Sequence, residues 1–416
     1  MKKSKNIWMY FGGRFVSLIG SGIQSIALPL FILDLTGSGT LMGMFSILTL
    51  VPALITSPFS GILGDRKNRK NIMVTMDLCR GVLICLFGIF AMMGTLNIFI
   101  LFSLQVFISI MDSLFDASSA ALMPDLISRE ELIEANSAKG GFDAAANILG
   151  PALGGVIYGI WGIKMVFLIN GLSFLSSAMF SLLITYRRKV VEKEKINTKL
   201  FLSENLEVLK FIVRKKGLLQ LFSFAMTSNF LLVPLFDILM PYTLKKEIGF
   251  ASEQYGYIIC FFTTGILFGN IAISAYFKRL GLKRLMKLGL MIETAITLIV
   301  CALIFPKSVE IYGGATFALF LSISICCIGM GFFNAFVNTP ISTNLQNLVP
   351  PGMRSRFFSI LGMFSRGAIP IGSFIFGVLL DAMKYYNIFT IVNLLSILVT
   401  GIFLIKACDE AYEAKE

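Results

Sequence analysis

The chain has 416 residues, 56% of them hydrophobic and only 14% charged, with a mean hydropathy of +0.82, whereas a soluble domain carries about 25% charge. Its net charge of +12 is scattered over short polar clusters between apolar runs, with no soluble domain to hold it, which excludes a nucleic-acid footprint. Histidine is absent and the seven cysteines show no metal-ligand spacing, which argues against a bound metal, a disulfide framework and any pH response that does not run through carboxylates.

Apolar stretches of about twenty residues or more recur throughout, each long enough to cross about 30 Å of hydrocarbon as a helix. None alternates with the period of a barrel strand. The prediction is an all-α membrane protein with twelve transmembrane helices in two six-helix bundles. Its spans are Ile7–Leu33, Leu41–Gly64, Asn71–Gly94, Asn97–Leu122, Lys139–Ile160, Ile163–Tyr186, Leu218–Pro241, Ser252–Phe277, Arg284–Pro306, Tyr312–Val337, Arg356–Leu380 and Tyr386–Lys406. Lys2, Lys3 and Lys5 precede the first run, but its length and the lack of a convincing small-residue cleavage site make it the first helix rather than a secretory signal.

Sorting Lys and Arg by side gives about 28 with the N-terminus and about 5 opposite, leaving Arg14, Arg80 and Arg366 inside spans. Both termini are therefore expected in the cytoplasm, across an inner or plasma membrane. The longest loop divides the chain into an N-terminal bundle (1–186), a cytoplasmic linker (187–217) and a C-terminal bundle (218–416). Within the linker, Leu202, Leu206, Leu209 and Phe211–Val213 mix with Glu204, Glu207, Lys210 and Arg214 as an amphipathic helix would. An offset of 222 places Asp112 on Asn334, Asp116 on Asn338 and Leu126 on Leu348, a faint repeat of the fourth span in the tenth.

Between the second and third spans lies Gly61-Ile-Leu-Gly64-Asp65-Arg66-Lys67-Asn68-Arg69-Lys70, four cations and one acid that cannot sit in hydrocarbon. In the fifth span lies Gly150-Pro151-Ala-Leu-Gly154-Gly155. The first run resembles the loop signature of the major facilitator superfamily, and the second is similar to the antiporter motif of its drug-exporting members. Leu122-Met123-Pro124-Asp125-Leu126-Ile127 and Arg354-Ser355-Arg356-Phe357-Phe358-Ser359 are similar to the branch holding macrolide efflux proteins and enterobactin exporters.

The resemblance implies that Gly61, Asp65, Arg66, Arg69 and Lys70 form a conformational latch, with Asp65 near the N-terminus of the eleventh helix; Lys67 is read as fixing topology only. It implies that Gly150, Pro151, Gly154 and Gly155 permit close helix contact and a bend. A central cavity would be lined by Gln24, Ser25, Asn229, Asp237, Asn334 and Asn338, with Phe115, Phe230 and Phe333. One departure stands out, since Ser109 occupies the place where many proton-driven exporters carry arginine in the fourth helix.

Ionisable groups inside spans are costly unless paired or hydrated. Asp77 and Arg80, three apart, read as a structural salt bridge, and Glu293 has no obvious cation. Asp112 and Asp116, one turn apart, put two carboxylates on one helix face, as proton coupling requires, with Arg14, Asp143 and Arg366 as candidate partners. The alternative for the aspartate pair is a structural ion pair such as Arg14 with Asp116.

These readings lead to a secondary transporter that exports an amphipathic, drug- or macrolide-like molecule by proton-coupled alternating access. The alternative cargoes are a siderophore, a peptide or a self-made metabolite, and a transport-inactive membrane sensor is a further alternative. No nucleotide-binding G-x-x-x-x-G-K-[ST] occurs, no cofactor is implied, and no nucleophile sits beside a plausible base, so an enzyme is not expected. Protease added to permeabilised cells should cut within 187–217, and protease added to intact cells should not; cleavage in intact cells would reverse the orientation.

Overall fold

The computed structural model describes residues 2–128, 131–186, 198–350 and 353–413, and these are helical apart from short joints. In chain order the helices are α1 (Lys2–Thr36), α2 (Gly39–Arg66), α3 (Arg69–Met92), α4 (Ile98–Leu126), α5 (Leu132–Leu183) and α6 (Thr198–Arg214). There follow α7 (Lys216–Ile248) and α8 (Ser252–Phe277), both containing π-helical turns. The chain ends with α9 (Leu282–Leu303), α10 (Pro306–Tyr312), α11 (Phe317–Leu348), α12 (Arg354–Ala382), α13 (Tyr385–Lys406) and α14 (Asp409–Tyr412).

Eleven of these helices are long and apolar enough to cross a membrane, among the described residues; α6, α10 and α14 are not. Many large apolar side chains point outward along them, among them Phe99, Phe107, Met179, Leu183, Ile271 and Ile405. In water such a surface would aggregate; in lipid it is the solvated face. The 52-residue α5 is two helices joined across Gly162, whose φ of 71° and ψ of −173° only glycine adopts without strain.

Polar side chains cap the helices where the joints are tight. Only Lys67 and Asn68 separate α2 from α3; the Lys67 amide donates to the Leu63 carbonyl, and Asn68 Oδ1 accepts from the Asn71 amide at 3.4 Å. Asn97 does the same for α4, accepting from Ile100 at 3.0 Å.

Two expectations about span limits change. The tenth span, read as Tyr312–Val337, is displaced: Pro306–Tyr312 is a separate short helix, and α11 starts at Phe317 and runs to Leu348, through Pro340. A proline is tolerated there because neighbouring helices supply substitute partners for the freed backbone. The fifth span starts at Leu132 rather than Lys139.

Contacts divide the chain into two compact units, 1–191 with 251–260, and 192–250 with 261–416. In the first, α1 packs along α5, α3 along α5, and α2 along α4. Glycine sets the closest of these approaches: a methyl group added at Gly150 would sit 2.8 Å from Gly22 Cα, and one at Gly154 would sit 2.6 Å from the Ile23 carbonyl oxygen. In the second unit α9 packs on α11 and α7 on α12. There Gly331 lies so close to α8 that an added methyl would overlap the Phe262 carbonyl oxygen.

One end of the second unit is closed by α14. Tyr412 is buried among Val208 and Ile212 of α6, Leu218, Met286, Phe357 and Phe403. Its ring lies beneath Lys283 and Lys287, with the ammonium groups 5.7 and 5.3 Å from the centroid. Asn344 Nδ2 donates to the carbonyls of Glu410 and Ala411, and Asp409 accepts from Lys283 at 2.6 Å. Burial pushes the Tyr412 phenol above its ordinary range. Tyr412→Ala should destabilise the protein by about 3 kcal/mol, read as a lower melting temperature in detergent, with Tyr412→Phe close to the parent.

Candidate functional site

Charge inside the first unit is concentrated in two clusters strung along α4. The inner one centres on Arg80. One turn along α3, Asp77 accepts from Arg80 Nη2, and Asp112 of α4 accepts from Nη1. Ser177 of α5 donates to the other oxygen of Asp77 at 2.7 Å. The guanidinium is stacked between rings, 4.6 Å from the Phe115 centroid and 4.3 Å from that of Phe174. Asp77 is wholly buried and Arg80 is 4% exposed, whereas the Asp112 side chain is 42% exposed. Pairing, hydrogen bonding and cation–π contact together offset the desolvation of a guanidinium, which alone costs several kcal/mol.

The outer cluster centres on Asp143 of α5. Arg14 of α1 grips it with two bonds, Nε to Oδ1 at 2.8 Å and Nη2 to Oδ2 at 3.1 Å, and Lys139 adds a third at 2.9 Å. Asp116 stands 3.9 Å from Arg14 Nη1 with its side chain 72% exposed, the loosest member of the group.

Several expectations change on this geometry. Asp112 and Asp116 each face an arginine, Asp112 facing Arg80 and Asp116 facing Arg14. Asp143, not Asp116, is the main partner of Arg14. Arg80, read as the partner of Asp77 alone, also holds Asp112, a contact across 32 residues that spacing along one helix could not reveal. Arg366, on α12 of the second unit, is exposed.

The 61–70 run, read as a loop, is the end of α2, the Lys67–Asn68 joint and the start of α3; here Arg69 donates to Asp125 of α4 at 2.8 Å and to the Ala121 carbonyl at 3.1 Å, and Lys70 donates to the Leu182 carbonyl at 2.7 Å. Tyr186 donates to the same Asp125 oxygen at 2.8 Å. The acid that receives Arg69 thus comes from the Leu122–Ile127 run, a pairing the motifs separately did not announce. The side chains of Gly61, Asp65 and Arg66 lie outside the described residues.

The expected cavity residues divide. Gln24 is buried, its Oε1 accepting from Asn170 of α5 at 2.5 Å, so it packs α1 on α5. Ser25 is exposed. In the second unit Asp237 is exposed on a π-helical stretch of α7, Leu235–Leu239, and Asn229 of the same helix donates to the Ser365 carbonyl at 3.4 Å. On α11, Asn338 donates to Asn334 at 2.7 Å, and Asn334 donates to Glu293 of α9 at 2.9 Å. Gly150 and Gly154 back onto α1, and Gly155 onto Gly256 within the same unit.

Eleven long helices that are apolar enough to cross a membrane, among the described residues, define a multi-pass membrane protein. The chain belongs to the Major Facilitator Superfamily, whose model matches residues 10–240 and 222–414, and it is a transporter rather than an enzyme. It is 24% identical over 375 residues to macrolide efflux protein A of Streptococcus pyogenes, covering 89% of this chain and 87% of that one. It is 22% identical over 400 residues to the staphyloferrin A transporter of Staphylococcus aureus, covering 95% and 94%. Its fold is similar to that of a crystallised variant of the nucleoside transporter NupG, with a TM-score of 0.75 and 12% identity over 97% of this chain and 99% of that one.

Arg80→Met should leave Asp77 buried without a cation and cost about 3–5 kcal/mol. The expected result is loss of folded, detergent-extractable protein, while Asp116→Asn, at the loosest contact, should extract like the parent.

Proposed function

We propose that this chain is an exporter of amphipathic small molecules of the drug or macrolide type, driven by proton entry through alternating access. The observation that carries this reading is the similarity to macrolide efflux protein A over 89% of the chain. The same similarity, together with the lysine and arginine bias, supports a plasma-membrane location with both termini in the cytoplasm. Counting the two helices of α5 separately brings the eleven candidate spans to the twelve read from the sequence. On that count the bundles are 1–186 and 218–416, joined by 187–217.

In this reading Asp116 and Asp112 take up and release protons. Asp116 is reachable by water and held by Arg14 at only 3.9 Å, so protonation would release Arg14 to Asp143 alone. Asp112, more exposed than its partner Arg80, would do the same in the inner cluster. The loop holding Asp65, Arg69 and Lys70 acts as the conformational latch, and Gly150, Pro151, Gly154 and Gly155 as the close-packed hinge of α5. Asp237, exposed where π-helical turns widen the backbone, gives the cargo path a preference for cations, with Asn229 and Asn338 as polar contacts.

A second reading replaces the cargo with a siderophore, favoured by the similarity to the staphyloferrin A transporter over 95% of the chain. The two separate in one assay: accumulation of a macrolide and of staphyloferrin A in an efflux-deficient bacterium expressing the protein, with and without protonophore. Macrolide accumulation lowered by the protein and restored by the protonophore is the expected result. Asp112→Asn combined with Asp116→Asn should abolish the protonophore sensitivity; its persistence would remove the pair from coupling.

A further inference from the structure

The two units carry the same interhelical contact with different chemistry. Arg80 is the twelfth residue of α3 (Arg69–Met92), and Glu293 is the twelfth residue of α9 (Leu282–Leu303). Asp112 lies fourteen residues before the last residue of α4, Leu126, and Asn334 lies fourteen before the last residue of α11, Leu348. In the first unit the helix pair is joined by Arg80 to Asp112; in the second it is joined by Asn334 Nδ2 donating to Glu293 Oε1 at 2.9 Å. Asn338, one turn beyond Asn334 as Asp116 is one turn beyond Asp112, donates to Asn334 Oδ1 at 2.7 Å. A cation facing an acid has become an acid facing an amide.

The exchange leaves Glu293 in an unusual position. It is 9% exposed, in mid-helix, and its one side-chain partner among the described residues is the Asn334 amide. Its neighbours supply no countercharge. On α9 itself, Lys283 is paired with Asp409 and Lys287 sits over the Tyr412 ring, at the start of the helix and roughly 9 Å or more along the axis. Arg284 lies at the same end of α9, nine residues before Glu293, and the remaining titratable groups on α9 and α11 are the thiols of Cys301, Cys326 and Cys327. On α13, Tyr385, Tyr386 and Lys406 lie at the two ends, and on α10 and α14 Lys307, Glu310, Asp409 and Glu410 lie beyond the spans. By contrast Asp77, Asp112, Asp125 and Asp143 of the first unit each contact a cation at 2.9 Å or less.

We propose that Glu293 is a proton-binding site of the second unit, separate from the ion-paired aspartates of the first. The step is the reversible addition of one proton to the carboxylate, giving a neutral acid, and no other reactant is needed. Asn334 holds the carboxyl group in either state, and Asn338 links it to the exposed face of α11. This rests on the proton-driven reading above, and it locates a second carrier where the first unit joins the equivalent helices by the Arg80–Asp112 ion pair.

Glu293→Gln tests it, because glutamine keeps an oxygen to accept from Asn334 but cannot titrate. Infrared difference spectra of purified protein between about pH 5 and about pH 9 should show a carboxylic-acid band that E293Q lacks and Glu293→Asp retains, shifted. In vesicles, E293Q should keep exchange of cargo down its gradient while losing accumulation driven by a pH gradient. Identical spectra for E293Q and the parent would overturn the site whatever the cargo proves to be. Undiminished pH-driven accumulation in E293Q would overturn its part in coupling. A parent protein that moves no cargo under a pH gradient, yet shows the Glu293 band, would instead sink the exporter reading and leave the site standing.

Discussion

Much of the first unit is organised by the need to neutralise one guanidinium where water cannot do it. Arg80 enters on α3, takes one carboxylate from its own helix and one from α4, and is covered by a ring from α4 and a ring from α5. Ser177 of α5 then satisfies the far oxygen of Asp77. Each of these contacts has a direction as well as an energy, so the rotation of three helices about their axes is fixed around one side chain. Generic apolar packing against lipid does not supply that, since leucine is as well solvated by acyl chains as by another helix.

What could be read from the sequence was whatever depends on short range. Span length, charge bias and the two glycine-bearing motifs all lie within windows of a few turns. The Asp77–Arg80 pair was legible for the same reason, three residues apart. Its extension to Asp112 was not, and neither was Arg14 with Asp143 across 129 residues, because pairing between helices depends on their relative rotation and depth. Gln24 shows the reverse failure. An amide in an apolar helix reads as cavity lining, but a second amide, Asn170, satisfies it inside the packing. The displaced tenth span has a simpler cause: hydropathy averages over the joint at 313–316 and stops short of Asn338, whereas the helix needs only internal backbone bonds to continue past it.

The amphipathic pattern in the linker also had a local origin, and the structure gives its apolar face a partner. Val208 and Ile212 of α6 are buried in the second unit with Leu218, Phe357 and Tyr412, while Leu206 and Val213 remain outside. The helix is therefore part of that unit's core as well as a connection. Lysines and carboxylates at the same end, Lys215 with Glu410 and Lys283 with Asp409, add contacts that salt would screen, so the apolar seat of Tyr412 carries most of the attachment.

Midway along the seam of α1 and α5, backbone touches backbone: Gly22 against Gly150, and Gly154 against the Ile23 carbonyl. Interdigitated side chains act like gear teeth, and displacement past them requires rotamers to unlock and re-engage. The glycine patch has no such teeth. The register of the two helices is therefore set by the polar pairs on either side of it, Arg14 with Asp143 and Gln24 with Asn170, which act as pins on an otherwise smooth joint.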